Sequence, residues 1–467
     1  MALATRVIHA QSTSNAVYAE LERIQDNRTA LHSIIAPPWV SAPNMRGTSS
    51  ILYSCLLTLF ACIYTALHLN VPPRGAGATY VLLKKCLWGF AALITPELVL
   101  FYTSGQFFEA KNLAKYLRNE EKRQQLERQQ VTNQQPISDK ATVETTPVNP
   151  SIAATTTTTP IPVGDSTDKS EFEIKYGFFV SMGGLEIIGL AECSENPGGR
   201  GTVSAEGVAT LARRNIDAVK ISRSSIDDRS KADILQKGLV LLQITWMALQ
   251  CIARKAYGLP ITLLELHTMV HVVCAFSMYT FWLEKPLDVK SAEILDGSKF
   301  GDVALDERHF HQRGTNLPGL KLSWVLAGDI IRVSEGLSAV LTAGLSNPIL
   351  ITSTIFLPLV YGSVHLSAWD FEFPTPIEGL LWKISGIVIA TTFPAWIVLG
   401  AVRAGTDACV RTLYKYTETS LALLGRALMY AVALCRIYIV VEAFVSLPAV
   451  PIGVYWTPAW IQMIPHV

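Results

Sequence analysis

The stretch ILYSCLLTLFACIYTALHL, Ile51–Leu69, decides how the fold is read. It runs for roughly 19 residues with no ionisable side chain until His68, about the length of helix that crosses a hydrocarbon core. Outward from it the same texture recurs. Cys86–Gly105 is apolar but interrupted by Pro96-Glu97, and Asn70-Val71-Pro72-Pro73 separates it from the first stretch. Further apolar stretches cover Lys237–Ala253, Ile261–Leu283, Pro348–Trp369, Leu380–Ala401 and Leu424–Leu447. Read together they lead to the expectation of an all-α integral membrane helical bundle with about seven transmembrane helices and two large hydrophilic loops.

Six segments follow from that reading. Residues 1–50 are a hydrophilic N-terminal segment and 51–105 hold the first two spans. Residues 106–236 contain the charged helix AKNLAKYLRNEEKRQQLERQQ, a Thr/Pro-rich linker expected to be disordered, and the short apolar element YGFFVSMGGLEIIGL, expected to lie at an interface. Spans three and four occupy 237–284. Residues 285–347 form a hydrophilic loop in which Trp324–Leu345, broken by Asp329, Arg332 and Glu335, reads as an amphipathic helix. Spans five to seven and an interfacial tail complete 348–467.

Composition agrees with burial in an apolar medium. Half the residues are hydrophobic and 16% are charged, against about 25% charged in an average soluble domain. Lys and Arg number 39 and Asp and Glu 38, a net charge of +1. No global field or basic stripe draws the chain to nucleic acid. The eight cysteines show no CxxC or finger spacing and lie mostly in apolar stretches, where Cys behaves as a small hydrophobe. The chain carries no Walker A loop, GxSxG elbow, Rossmann glycine triplet, HExxH or DDxxD pattern. No cofactor is expected on these grounds.

The informative residues are polar groups set inside apolar stretches, because isolated charges there are costly and mark function by default. Glu97 follows Pro96, whose ring frees a carbonyl one turn back; it reads either as a buried acid site or as a carboxylate paired with Lys84 or Lys85. Glu265, His267 and His271 share one stretch, with the histidines one helical turn apart. HxxxH spacing can bring two imidazoles to a metal, yet only His309, His311 and His365 remain as further ligands and no HxxHH occurs. Cross-helix hydrogen bonding is the competing reading, and no metal site is assigned. Arg436 and Glu442 lie six residues apart on different helical faces. Glu265 or Glu97 is the expected partner of Arg436, and Lys383 or a histidine that of Glu442. Tyr438, one turn before Glu442, can complete an acid–hydroxyl pair. The lip SVHLSAWDFEFPTPIEGLLW gathers His365, Trp369, Asp370, Glu372 and Glu378. The candidate catalytic acids are therefore Glu97, Glu442 and Glu265, and the candidate substrate-binding residues His365, Trp369, Tyr438 and Arg436.

Several strings in order, HLNVP, PEL at Pro96, FFVSMGG at Phe178, FWLEKPLDV, VHLSAWDFEFPT, RIYIVVEAF and the closing IPHV, resemble a large group of uncharacterised filamentous-fungal multi-pass membrane proteins. The resemblance covers most of the chain from Arg46 onward and implies a fungal source, without an established activity or catalytic residues. Proximity of some such proteins to specialised-metabolite genes implies a biosynthetic setting. The functional expectation is an enzyme, for example a cyclase, or an accessory factor acting on a lipophilic intermediate, with a carboxylic acid donating the proton. A transporter or channel, or a receptor or structural protein, is the alternative. The expected partners are the lipid bilayer and a lipophilic small molecule, and the expected location is the endoplasmic reticulum, another endomembrane or the plasma membrane.

Overall fold

The computed structural model describes residues 14–42, 45–65, 70–72, 75–134, 171–189, 201–227, 233–286, 289, 291–301, 303, 305, 309–310, 348–406 and 414–457. The helices in chain order are α1 (14–24), α2 (Arg28–Ser33), α3 (Thr48–Thr65), α4 (Ala78–Ile94), α5 (Pro96–Gln134) and α6 (Ile174–Ser181). After them come α7 (Ala205–Arg214), α8 (Arg223–Asp227), α9 (Asp233–Ala256), α10 (Leu263–Trp282), α11 (Pro348–Leu366), α12 (Pro376–Thr406) and α13 (Tyr414–Val445). Three short strands, β1 (Leu185–Ile188), β2 (Gly201–Thr202) and β3 (Glu293–Asp296), make one sheet ordered β2-β1-β3. The linker beyond Gln134, the segment Trp324–Leu345 and the closing IPHV lie outside the described residues.

The chain forms two compact units. The first takes Met1–Phe107, Ser230–Asp288 and Arg313–Val467; the second takes Phe108–Arg229 and Val289–Gln312. In the second unit β1 pairs in parallel with β3, Leu185 facing Glu293, and antiparallel with β2. Here the stretch expected to be an interfacial or docked element forms, over residues 174–188, a buried helix α6 turning into β1 through Gly183, whose φ of 85° suits glycine. Tyr176 Oη donates to Val219 O at 2.7 Å, and Gln124 Nε2 donates to Ala212 O at 2.8 Å.

In the first unit α10 is central: α3, α9, α11 and α13 all pack on it. Its start is set by a capping box, Thr262 accepting from the Glu265 backbone while the Glu265 carboxylate reaches back to Thr262 N. The turn feeding it closes on Gly258 at φ 70°. Helices α11 and α12 cross closely at Gly362, where a Cβ would stand 2.5 Å from Ala390 Cβ. Around this crossing Leu266, Val270, Tyr361, Trp382, Ile389 and Ile439 form one apolar core.

No helix among the described residues is long and apolar enough to cross a membrane. This overturns the expected integral membrane bundle and its seven transmembrane helices, and the sheet removes the all-α description. The physical reason is visible in the helices. Cys86–Gly105 is not one element, because α4 ends at Thr95, whose Oγ1 donates to Ala91 O, and Pro96 opens α5. The run in α10 turns Glu265, His267 and His271 inward, and α13 does the same with Arg436 and Glu442. An apolar run in sequence describes a core helix as well as a span. The outward faces nonetheless stay apolar, with Tyr53 71%, Phe60 67%, Leu242 68% and Tyr430 71% exposed.

Candidate functional site

The polar intruders of the first unit collect into separate buried groups. The largest is built on α5, α10, α11 and α13. His267 and His271, one turn apart on α10, bring their Nε2 atoms to 3.3 Å. His267 Nδ1 lies 3.2 Å from Nε2 of His365 on α11, and His365 Nδ1 lies 2.8 Å from Tyr361 O. Trp382 of α12 holds the backbone of the same turn, donating from Nε1 to His365 O at 2.9 Å. All three imidazoles are buried.

The Tyr361 ring continues the cluster. It lies 4.6 Å from the His365 ring on one side, and the Arg436 guanidinium sits 4.7 Å from its centroid on the other. Arg436 forms an ion pair with Glu97 through Nη2 and donates from Nη1 to Ile94 O at 3.0 Å. That carbonyl belongs to the last turn of α4, just before the proline that opens α5. Of the partners expected for Arg436 the structure selects Glu97. Three buried polar atoms here have no hydrogen-bond partner among the described residues: Glu97 Oε2, Tyr361 Oη and Arg436 Nε.

Electrostatics keep the imidazoles neutral. Burial pushes His271 down to about 3, with His365 and Arg436 adding to the effect. Burial also lowers His365 to about 4, although its bond to the Tyr361 carbonyl opposes the shift. His267 is driven well below the ordinary range, first by burial and then by its two histidine neighbours and Arg436. Burial disfavours the charge on Arg436, but Glu97 more than restores it and its pKa is raised.

The three histidines do not converge on one point. His267 spends one ring nitrogen on each neighbour, so no single ion can reach a lone pair from all three rings. Among the described residues no group of three or more His, Cys, Asp or Glu side chains is placed to hold a metal.

Glu265 belongs elsewhere. It pairs with Arg46 at 2.6 Å and caps α10. Nearby, Arg254 donates to Pro260 O, Gly453 O and Trp456 O. Although burial works against its charge, Arg46 and Arg254 hold the Glu265 carboxyl below its usual range. These contacts make the group a clamp between the N-terminal segment, α10 and the C-terminal turn, in which Arg46 Nη1 makes no hydrogen bond among the described residues. Glu442 forms a third group. Burial and then Glu378 raise its pKa, against a hydrogen bond to Tyr438. Tyr438 Oη donates to Glu378 O at 2.9 Å. Lys383, one of the partners expected for Glu442 beside a histidine, lies 4.8 Å over the half-exposed ring of Trp369.

Thus Glu97, Arg436 and His365 come together, Glu442 and Tyr438 form a separate pair, and Glu265 and Trp369 join neither. Sequence reasoning missed Tyr361 at the centre of the cluster. Its signal was present: Tyr361 and His365 are spaced i, i+4 and share one helical face.

Residues 24–306 and 345–467 match a family described as a family of unknown function, DUF8562, and the chain belongs to that family. No curated protein and no solved structure matches it.

Proposed function

We propose that the Glu97–Arg436–Tyr361 cluster binds the polar oxygen of a small, otherwise apolar molecule and performs acid–base chemistry on it. One observation carries this reading: around one buried ion pair, Glu97 Oε2 makes no hydrogen bond, and Tyr361 Oη and Arg436 Nε, whose side chains interact with each other, find no further acceptor among the described residues. Stranding buried polar groups costs about 1–3 kcal/mol each, so three in one place point to a partner of matching chemistry. A hydroxyl or carbonyl oxygen accepts from Tyr361 and Arg436, while Glu97 Oε2 takes a proton from the ligand hydroxyl or an adjacent carbon. The neighbouring apolar core, with Leu266, Val270 and Ile439, is of a chemistry that suits a lipophilic body. Proton transfer of this kind serves an isomerisation or cyclisation, and the fungal biosynthetic setting implied by the sequence resemblance would supply such an intermediate.

Tyr361→Phe is the discriminating variant, because it keeps both ring contacts and removes only the hydroxyl. A deletion strain is complemented with wild type, Tyr361→Phe or Glu97→Gln, and metabolites are profiled by mass spectrometry. The expected result is an accumulating precursor with Tyr361→Phe and a turnover loss of about 10²-fold or more with Glu97→Gln. Full restoration by Tyr361→Phe sinks the assignment. An unchanged product retained inside the cells would support export instead.

We propose the lipid bilayer as a partner through surface contact, which requires no crossing. Support comes from exposed apolar side chains on several helices of the first unit, including Tyr53 and Phe60 of α3, Leu239 and Leu242 of α9 and Tyr430 and Leu434 of α13. Purified protein is expected to float with phosphatidylcholine vesicles on a density gradient. Sedimentation away from the vesicles at every lipid concentration would remove this partner.

A further inference from the structure

The hydrogen bonds of the histidine series dictate where its protons sit. Tyr361 O accepts only, so His365 Nδ1, 2.8 Å away, must be the donor. Neutral His365 then offers a bare Nε2, and His267 Nδ1 must donate to it across 3.2 Å. That leaves His267 Nε2 bare, so His271 Nε2 donates across 3.3 Å. Every tautomer is thereby fixed by a carbonyl at one end. Among the hydrogen bonds of the described residues, His271 Nδ1 is the one ring nitrogen of the series left unused.

We infer that His271, His267 and His365 form one proton-relaying series of fixed tautomers, in which a single proton added at His271 Nδ1 comes to rest on His365. The steps balance without any change of oxidation state. A proton bonds to His271 Nδ1; the His271 Nε2 proton passes to His267 Nε2; the His267 Nδ1 proton passes to His365 Nε2. Three N–H bonds form, two break, and the single charge rests on His365. There the Tyr361 carbonyl accepts from Nδ1–H and favours the charge, while Arg436 across the Tyr361 ring opposes it. The charged group bearing on the rings is Arg436 of α13; its partner Glu97 of α5, Tyr361 of α11 and Cys274 of α10 bear in turn on Arg436. From α12 the neutral Trp382 indole lies 5.7 Å from His365. Neutral imidazoles suit the task, since a relay needs each ring to hold one proton and one lone pair. The purpose of the relay rests on the acid–base reading above; its existence does not.

Two-bond proton–nitrogen NMR on the full chain with 15N-labelled histidine tests it, with signals assigned by single His→Gln variants. At neutral pH the expected pattern is Nδ1–H at His365, Nδ1–H at His267 and Nε2–H at His271. Any other tautomer set overturns the relay, and this measurement uses only the wild-type fold. On acidification His365 is expected to gain its second N–H, while His271 and His267 exchange protonated nitrogens and stay neutral. A charge appearing first on His271, with His267 unchanged, overturns the inference. If Tyr361→Phe restores metabolism while the tautomers stand, the relay survives and the substrate assignment falls; the reverse outcome separates them the other way.

Discussion

Arg436→Met is expected to destabilise the first unit by about 3–5 kcal/mol, the range for breaking a buried ion pair from one side. The loss is not simply that of a contact. Removing the guanidinium leaves the Glu97 carboxylate buried without its countercharge, uncovers the Ile94 carbonyl and removes the cation from the Tyr361 ring. The double variant Arg436→Met with Glu97→Gln is therefore expected to recover most of the loss, because no charge then remains to be desolvated. Denaturant unfolding followed through near-UV circular dichroism, with the two single variants completing the cycle, gives the coupling energy. A double variant no more stable than Arg436→Met alone would show that the pair is not the source of the effect. Conversely, a stable single variant would show that the interior there is wet enough to solvate Glu97.

Glu265→Gln is expected to cost a similar about 3–5 kcal/mol, for the opposite reason. It strands two buried guanidiniums, Arg46 and Arg254, on one side of α10 without their anion, and it weakens the capping box at Thr262. The pH dependence has a defined sign. Glu265 has a folded pKa below that of an unfolded glutamate, about 4.3, so its stabilisation is complete above that value. It is lost as pH falls through the folded pKa, where protonation is forced on a carboxyl that two arginines favour as the anion. Acid unfolding of wild type should show this loss, and Glu265→Gln should flatten it. An equally steep acid limb in the variant would assign the proton uptake to other groups. Glu265 thereby changes standing, from a candidate catalytic acid to a residue that ties three parts of the chain together.

The two predictions separate groups that looked alike in sequence. Glu97, Glu265 and Glu442 are all acids in apolar stretches, and nothing local distinguishes them. Their surroundings do. Glu265 faces Arg46 and Arg254, Glu442 faces Tyr438 and a second acid, and Glu97 pairs with an Arg436 that also lies over the Tyr361 ring. The half-exposed Trp369 shows the converse: an aromatic in a promising lip serves as a seat for Lys383.

The membrane reading failed for a related reason. Hydropathy along a chain measures how apolar a segment is and cannot report what covers it. The α10 run is apolar because α3, α9, α11 and α13 surround it, and its polar side chains are tolerated because those same helices supply partners. Likewise Cys86–Gly105 reads as one stretch, but a break at Thr95 before Pro96 divides it into two helices and places Glu97 in the first turn of the second.

By itself the sequence determined the helical texture, the shared face of His267 and His271, and the conflict of charge with burial at Glu97 and Arg436. Each of these depends on residues within a turn or two of one another, where helical geometry converts spacing directly into proximity. Only the tertiary structure decided that Arg436 meets Glu97 across 339 residues, that His365 closes the histidine series from 98 residues away, and that Tyr361 stands between the two. Contacts at such separations are selected by how α5, α10, α11 and α13 pack, and packing depends on the fit of whole helix faces.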